Sequence, residues 1–152
     1  MALQEIYVDG LFTAWLSNRK QRVQMHRIFS DWTQVTSGVL QGSVLGPVLF
    51  LIYINDLEAG ISNSSRVLKF ADDTKLYRKV DSSNDQAFLR RDLDSLCRWA
   101  GDWQMSFNVS KCKVMHIGKR NHSFDYVMEG QSLEKSLTEK DIGVFLSCDL
   151  RS

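Results

Sequence analysis

Phe70-Ala71-Asp72-Asp73-Thr74-Lys75-Leu76-Tyr77 sets two adjacent carboxylates inside a stretch that otherwise reads as strand. Neighbouring side chains of a regular strand point to opposite faces, so Asp72 and Asp73 can converge on one ion only where a tight hairpin turn breaks the alternation. Val67-Leu68-Lys69-Phe70 and Leu76-Tyr77-Arg78-Lys79-Val80 supply apolar and aromatic flanks for that hairpin. Hard carboxylate oxygens suit Mg²⁺ or Mn²⁺ rather than zinc. The pair taken alone fits a solvated turn as well as a metal site.

Upstream lies Ser37-Gly38-Val39-Leu40-Gln41-Gly42-Ser43-Val44-Leu45-Gly46-Pro47, a glycine-punctuated loop running into Val48-Leu49-Phe50-Leu51-Ile52-Tyr53-Ile54-Asn55-Asp56-Leu57. The apolar run Val48 to Ile54 is far shorter than the roughly 18 residues of a spanning helix, so no membrane partner is expected. It predicts a buried helix started by Gly46-Pro47, with proline in the first turn. In this order, the segment from Ser37 to Leu57 followed by Phe70 to Asp73 resembles the palm of the reverse transcriptases of non-LTR (LINE-type) retrotransposons, of the jockey or CR1 kind. Trp15-Leu16-Ser17-Asn18-Arg19-Lys20-Gln21-Arg22-Val23 is similar to the segment preceding the glycine loop in those enzymes. Asn108-Val109-Ser110-Lys111-Cys112-Lys113 resembles their Asn-x-x-Lys-Thr element, and Asp141-Ile142-Gly143-Val144 their primer grip. Residues 1–152 therefore read as one partial palm domain, with 108–152 covering the lysine motif and the primer-grip region. Leu40 stands where the family usually has proline, which loosens the loop backbone without removing a chemical group.

The resemblance implies an α+β fold, an antiparallel sheet with helices packed on one face. It also implies RNA-directed DNA polymerisation by two-metal nucleotidyl transfer, with an RNA template, a DNA primer, a deoxynucleoside triphosphate and two Mg²⁺ or Mn²⁺ ions in the full-length parent. By the same resemblance Asp72 and Asp73 hold the metals, Asp72 the more directly, and Lys111 is the general acid for the leaving pyrophosphate. Gln41, Gly42 and Ser43, with Phe70 and Ala71, lie beside the nucleotide and template, Phe70 packing under the metal hairpin. Ile142, Gly143 and Val144 hold the primer, and the parent acts in the nucleus. Two side chains on one hairpin cannot bracket both ions, so a third carboxylate is needed. In the family it comes from a strand well upstream of the Trp-Leu-Ser-Asn-Arg segment, and Asp9, next to Gly10, sits too near Trp15 to supply it. The expectation is a fragment without its first catalytic strand and fingers, inactive by itself. The alternative is a non-catalytic palm remnant that binds nucleic acid or a partner protein.

Composition fits a partial domain: 152 residues, 43% apolar, suffice for one core and not for a complete polymerase. A net charge of +1 leaves attraction to nucleic acid to local clusters. One holds Arg19, Lys20, Arg22, His26 and Arg27, the other Lys111, Lys113, Lys119, Arg120 and His122. Arg19, Lys20 and Arg22 are the candidates for the phosphate backbone, with Lys20, Arg22 and Arg27 on alternate strand residues. Cys97, Cys112 and Cys148, odd in number and without a Cys-x-x-Cys pair, read as ordinary buried or semi-buried thiols of a reducing compartment. The four tryptophans read as core.

Periodicity predicts a helix over 4–16, a hairpin of Arg22–His26 with Asp31–Val35, and an amphipathic helix carrying Leu89, Leu93, Leu96, Ala100, Trp103 and Phe107. Ser83 with Gln86 predicts that helix's capping box, and Gly101 an early end. Strands are expected at Lys113–Ile117, Phe124–Met128 and Ile142–Leu146, with Glu129-Gly130-Gln131 turning the second.

Overall fold

The computed structural model describes residues 13–39, 42–119 and 121–149. The chain divides into two units, Met1–Phe50 and Leu51–Ser152. Most of the helix expected over 4–16 lies outside the described residues, although residues 13–16 are helical.

In the first unit one ribbon folds back on itself. β1 (Lys20–Gln21) pairs antiparallel with β4 (Thr33–Gln34), and β2 (Gln24–Met25) with β3 (Ile28–Phe29). The expected hairpin is thus present, but its return strand starts at Ile28, three residues before Asp31. His26 and Arg27 make the turn with φ of 46° and 71°, left-handed values that match the twist of a two-residue hairpin. Arg27 therefore belongs to the turn and not to the strand-face series of Lys20 and Arg22.

α1 (Leu45–Tyr53) follows the glycine loop, and Pro47 falls in its first turn as expected. Its environment differs from expectation: Val48, Leu51 and Ile52 are each about half exposed, and Gly46 alone within the helix is buried. A helix apolar on every side needs cover on every side. Among the described residues cover is full at Gly46 and, past the helix end, at Ile54 and Leu57, and partial at Leu49 and Phe50.

In the second unit β5 (Arg66–Phe70) and β6 (Asp73–Tyr77) form an antiparallel pair. α2 (Ser83–Asp102) comes next, and its apolar stripe packs the core. Leu96 and Ala100 are buried, while Leu89, Leu93, Cys97, Phe107 and Cys112 pack against Val109, Tyr126, Met128 and Leu133. The cap lies one residue earlier than predicted: Ser82 Oγ accepts from the Asp85 N–H at 3.2 Å and donates to the Asp85 carboxylate at 2.7 Å. Asp85 wins over Gln86 because a carboxylate also suits the positive end of the helix dipole. The helix ends at Asp102, one residue past Gly101, so it stops early as expected, and Trp103 and Phe107, expected on the helix, lie beyond its end.

A short 3₁₀ turn, Val109–Lys111, leads to β7 (Lys113–Met115), which pairs in parallel with β10 (Glu134–Ser136). β8 (Val127–Met128) turns at Glu129-Gly130 into β9 (Gln131–Ser132), and β11 (Thr138–Asp141) pairs with β12 (Val144–Ser147). Ile142 and Gly143, expected in a strand, form the turn between these last two, with φ of 46° and 83°. The fold is α+β with small, mainly antiparallel ladders, and among the described residues the strands pair only in twos. No described helix is long and apolar enough to cross a membrane.

Acid should loosen the start of α2. The Ser82 hydroxyl foremost, then Arg78 and the Asp81 N–H, hold the Asp85 carboxyl below the ordinary carboxylate range. A depressed folded-state pKa contributes stability that is present above the unfolded value and lost as pH falls through the folded one. Urea unfolding followed from about pH 5 to about pH 2 should therefore show a fall in stability that Asp85→Asn makes shallower; equal slopes would remove this role from Asp85.

Candidate active site

The Asp-Asp pair sits where the alternation argument requires it. In the β5–β6 ladder Phe70 pairs with Asp73, leaving Ala71 and Asp72 as a two-residue loop. Ala71 takes a φ of 50°, so the reversal is made by the residue just before the carboxylates. Asp72 lies in the turn, Asp73 opens β6, and both are exposed. Phe70 departs from expectation. At 57% exposure, with Leu68 at 54%, it projects from the same open face of β5 and packs under nothing among the described residues.

Three tethers position this hairpin. At the β5 side, Lys69 Nζ donates to the carbonyls of Ile54 at 3.3 Å and Asn55 at 3.1 Å, just past the C-terminal end of α1, where a cation is favoured. On β6, Lys75 makes an ion pair with Asp141. Asp141 closes the Ile142-Gly143 turn through its pairing with Val144, so this bridge joins the Asp72 hairpin to the β11–β12 hairpin. Ile142 and Val144 are 67% and 62% exposed.

The third tether is at the hairpin's base. Asp92, 1% exposed on α2, accepts from the Ser62 N–H at 2.9 Å, Ser62 Oγ at 2.8 Å and Ser65 Oγ at 2.5 Å. Ser65 directly precedes β5, and Arg78 directly follows β6. Arg78 donates to Ser62 Oγ at 3.0 Å, pairs with Asp85 at 3.3 Å and lies over the Phe88 ring. Both ends of the hairpin therefore meet in one polar cluster on α2. The reading by periodicity passed over Asp92, although the signal was there: it lies three residues after Leu89 and four before Leu96, a charge on the apolar stripe.

Lys111 is held differently. Val109 is buried in the core and fixes the 3₁₀ turn, while Lys111 is exposed and makes no ion pair or side-chain hydrogen bond among the described residues. Among the described residues no side-chain contact brings it to Asp72 or Asp73. The neighbouring Cys112 thiol is pushed up by burial, as is that of Cys97. Lys113, from the same basic cluster, is ion-paired to Glu134.

In the first unit, Arg19 is committed to the protein itself. Its Nε donates to the Leu16 carbonyl at 2.9 Å and Nη2 to the Gly38 carbonyl at 2.7 Å, clamping the start of the glycine loop. Gly38 and Gly42 have φ of 75° and 81°, which a side chain would strain. Ser43 Oγ accepts from the Gly46 N–H at 3.0 Å and caps α1. Leu40, Gln41, Arg120 and Asp9 lie outside the described residues. Lys20 and Arg22 are exposed.

Among the described residues, no group of three or more His, Cys, Asp or Glu side chains could hold a metal. The chemistry of the donors still suits Mg²⁺, which takes one or two carboxylates and fills its octahedron with water and substrate phosphates.

The profile of the family described as reverse transcriptase (RNA-dependent DNA polymerase) matches residues 4–139. The chain is 32% identical over 142 residues to the probable RNA-directed DNA polymerase from transposon X-element of Drosophila melanogaster, over 90% of this chain and 16% of that protein. It is 26% identical over 141 residues to the RNA-directed DNA polymerase from mobile element jockey of Drosophila melanogaster, over 88% of this chain and 15% of that protein. The jockey polymerase of Drosophila funebris is 26% identical over 151 residues, 84% of this chain. The chain thus spans about 16% of the length of these curated relatives. No solved structure matches it.

Proposed function

Because this chain belongs to the reverse transcriptases, and among them to the jockey-like enzymes of non-LTR retrotransposons, we propose that it is the palm segment of an RNA-directed DNA polymerase that carries the second catalytic carboxylate element. The observation that carries this reading is the Ala71-Asp72 turn, which puts two exposed carboxylates at one hairpin tip tied by Lys75–Asp141 to the hairpin of Ile142, Gly143 and Val144. Asp72 and Asp73 would hold divalent ions, Mg²⁺ or Mn²⁺, which supply charge neutralisation at the triphosphate. The hairpin's work is to present its carboxylates without reorganisation, since Asp92, Lys69 and Lys75 fix its base and both strands. The second hairpin would hold the primer end beside them. Gly42 and the loop clamped by Arg19 would face template and nucleotide, and Lys111, unpaired, is free to donate a proton to the leaving pyrophosphate.

In this reading the substrates are an RNA template, a DNA primer and deoxynucleoside triphosphates, the place of action is chromosomal DNA in the nucleus, and a third carboxylate must join the pair before polymerisation occurs. A Mn²⁺ titration followed by nuclear magnetic resonance tests it. Amide signals of residues 70–74 should broaden first, and the broadening should vanish in Asp72→Asn combined with Asp73→Asn. Equal broadening in that variant, or broadening centred elsewhere, would remove the metal role.

A further inference from the structure

The β1–β4 ribbon has two chemically distinct faces, and a bulge makes one of them. Lys20 pairs with Gln34 and Gln21 with Thr33, but Gln24 pairs with Phe29 and Met25 with Ile28. Three steps along one strand, from Gln21 to Gln24, thus match four along the other, from Thr33 to Phe29. Val23 and Ser30 are still partners, since the Ser30 N–H donates to the Val23 carbonyl at 3.0 Å and the Val23 N–H to Ser30 Oγ at 2.9 Å. The extra residue is therefore Asp31. Such a bulge re-aims side chains, and here it puts Phe29 and Trp32, three apart in sequence, on the face that also carries Lys20 and Arg22.

The contacts agree with this assignment. The Arg22 guanidinium lies 3.9 Å from the Phe29 ring centroid and 4.6 Å from that of Trp32. Trp32 remains 58% exposed and Phe29 46%. Trp32 and Trp103, expected in the core, are both surface residues, and of the two Trp32 stands beside cations, Lys20 and Arg22, that have no acidic partner among the described residues. From Lys20 to Gln34 the ribbon holds Lys20, Arg22 and Arg27 against one carboxylate, Asp31. The opposite face carries no charge and holds Val23, Met25 and Ile28, between 69% and 75% exposed, beside Gln21, Ser30 and Thr33.

We propose that the Lys20–Arg22–Phe29–Trp32 face is a binding site for single-stranded nucleic acid, in which Trp32 stacks on an unpaired base while Arg22 and Lys20 hold the adjoining phosphates. An exposed indole with a guanidinium on it offers a flat surface for a base and leaves N–H edges for phosphate oxygens. A protein partner would favour the other, uncharged face. The inference rests on the reading that the chain engages a nucleic-acid template, and it replaces Arg19, committed to the Leu16 and Gly38 carbonyls, with Phe29 and Trp32.

Fluorescence anisotropy of the purified chain tests this in the presence of EDTA, so that the outcome is independent of any metal at Asp72 and Asp73. The probes are a mixed-sequence RNA of about 12 nucleotides, the same RNA as a duplex, and an abasic strand of equal length. The single strand should bind most tightly. Trp32→Leu should weaken it about tenfold or more, Trp32→Phe should restore most of the loss, and Arg22→Gln should weaken binding and lower the salt slope by about one. Both side chains are exposed, so circular dichroism should not change. Equal affinity for the abasic strand, an unaltered Trp32→Leu, or no binding to the single strand would each overturn the proposal.

Discussion

Primer extension by a polymerase that contains this chain should fall by more than about 100-fold on Asp72→Asn, since even the outer-shell partners of metal ligands cost 10- to 100-fold when removed. The substitution keeps the size of the side chain and its hydrogen-bonding atoms at an exposed turn, so the fold has no reason to change. What disappears is one negative charge where, in the proposed reading, the triphosphate and its counter-ions would be held. Asp73→Asn should cost a comparable factor, because Asp73 is fixed by its pairing with Phe70 at the same hairpin end. The 152-residue chain alone, given Mg²⁺ or Mn²⁺ with an RNA template and a DNA primer, should extend nothing. Full extension by the Asp72→Asn polymerase would sink the catalytic assignment, and extension by the isolated chain would refute the need for a third carboxylate.

The second large effect concerns stability. Asp92→Ala should destabilise the second unit by about 3 kcal/mol or more, because it deletes charge-assisted bonds and strands the Ser62 N–H. For a chain of this size that is a fall in thermal midpoint of roughly 6 to 12 °C. Asp92→Asn should cost less, since its amide oxygen can still accept from the Ser62 N–H while the serine hydroxyls rotate to accept from its amide nitrogen. Because Ser65 and Arg78 flank β5 and β6, the alanine variant should also speed hydrogen exchange within the Asp72 hairpin before the core of α2 opens. Differential scanning calorimetry and amide exchange check both. An unchanged midpoint would mean that the buried cluster carries no net weight.

Burial explains most of the differences between expectation and structure. The hairpins at Asp72 and at Glu129-Gly130, and the helix with Leu89, Leu93 and Leu96 on one face, come from local chemistry: apolar flanks, turn residues and a period near 3.6; the Ile142-Gly143 turn instead falls where a strand was expected. Where a reading needed to know what covers a side chain, it went astray. Val48 to Ile54 is apolar enough for a buried helix, yet α1 is half open; Trp32 and Phe70 are apolar, yet exposed. Hydrophobicity states what a residue would gain by burial, not whether another segment is there to bury it.

The sequence by itself determined that this chain is a reverse-transcriptase segment and that its carboxylate pair sits at a strand reversal, because both follow from the order of residues along a few short stretches. Only the tertiary structure decided which charges are committed. Arg19 clamps the glycine loop and Asp92 anchors the base of the Asp72 hairpin, while Lys75 meets Asp141 across 66 residues and Arg22 lies on Phe29 and Trp32. Such pairings depend on register, on one extra residue at Asp31 and on which faces come within a few ångströms of each other. A charge in a sequence has no partner until the backbone brings one within reach.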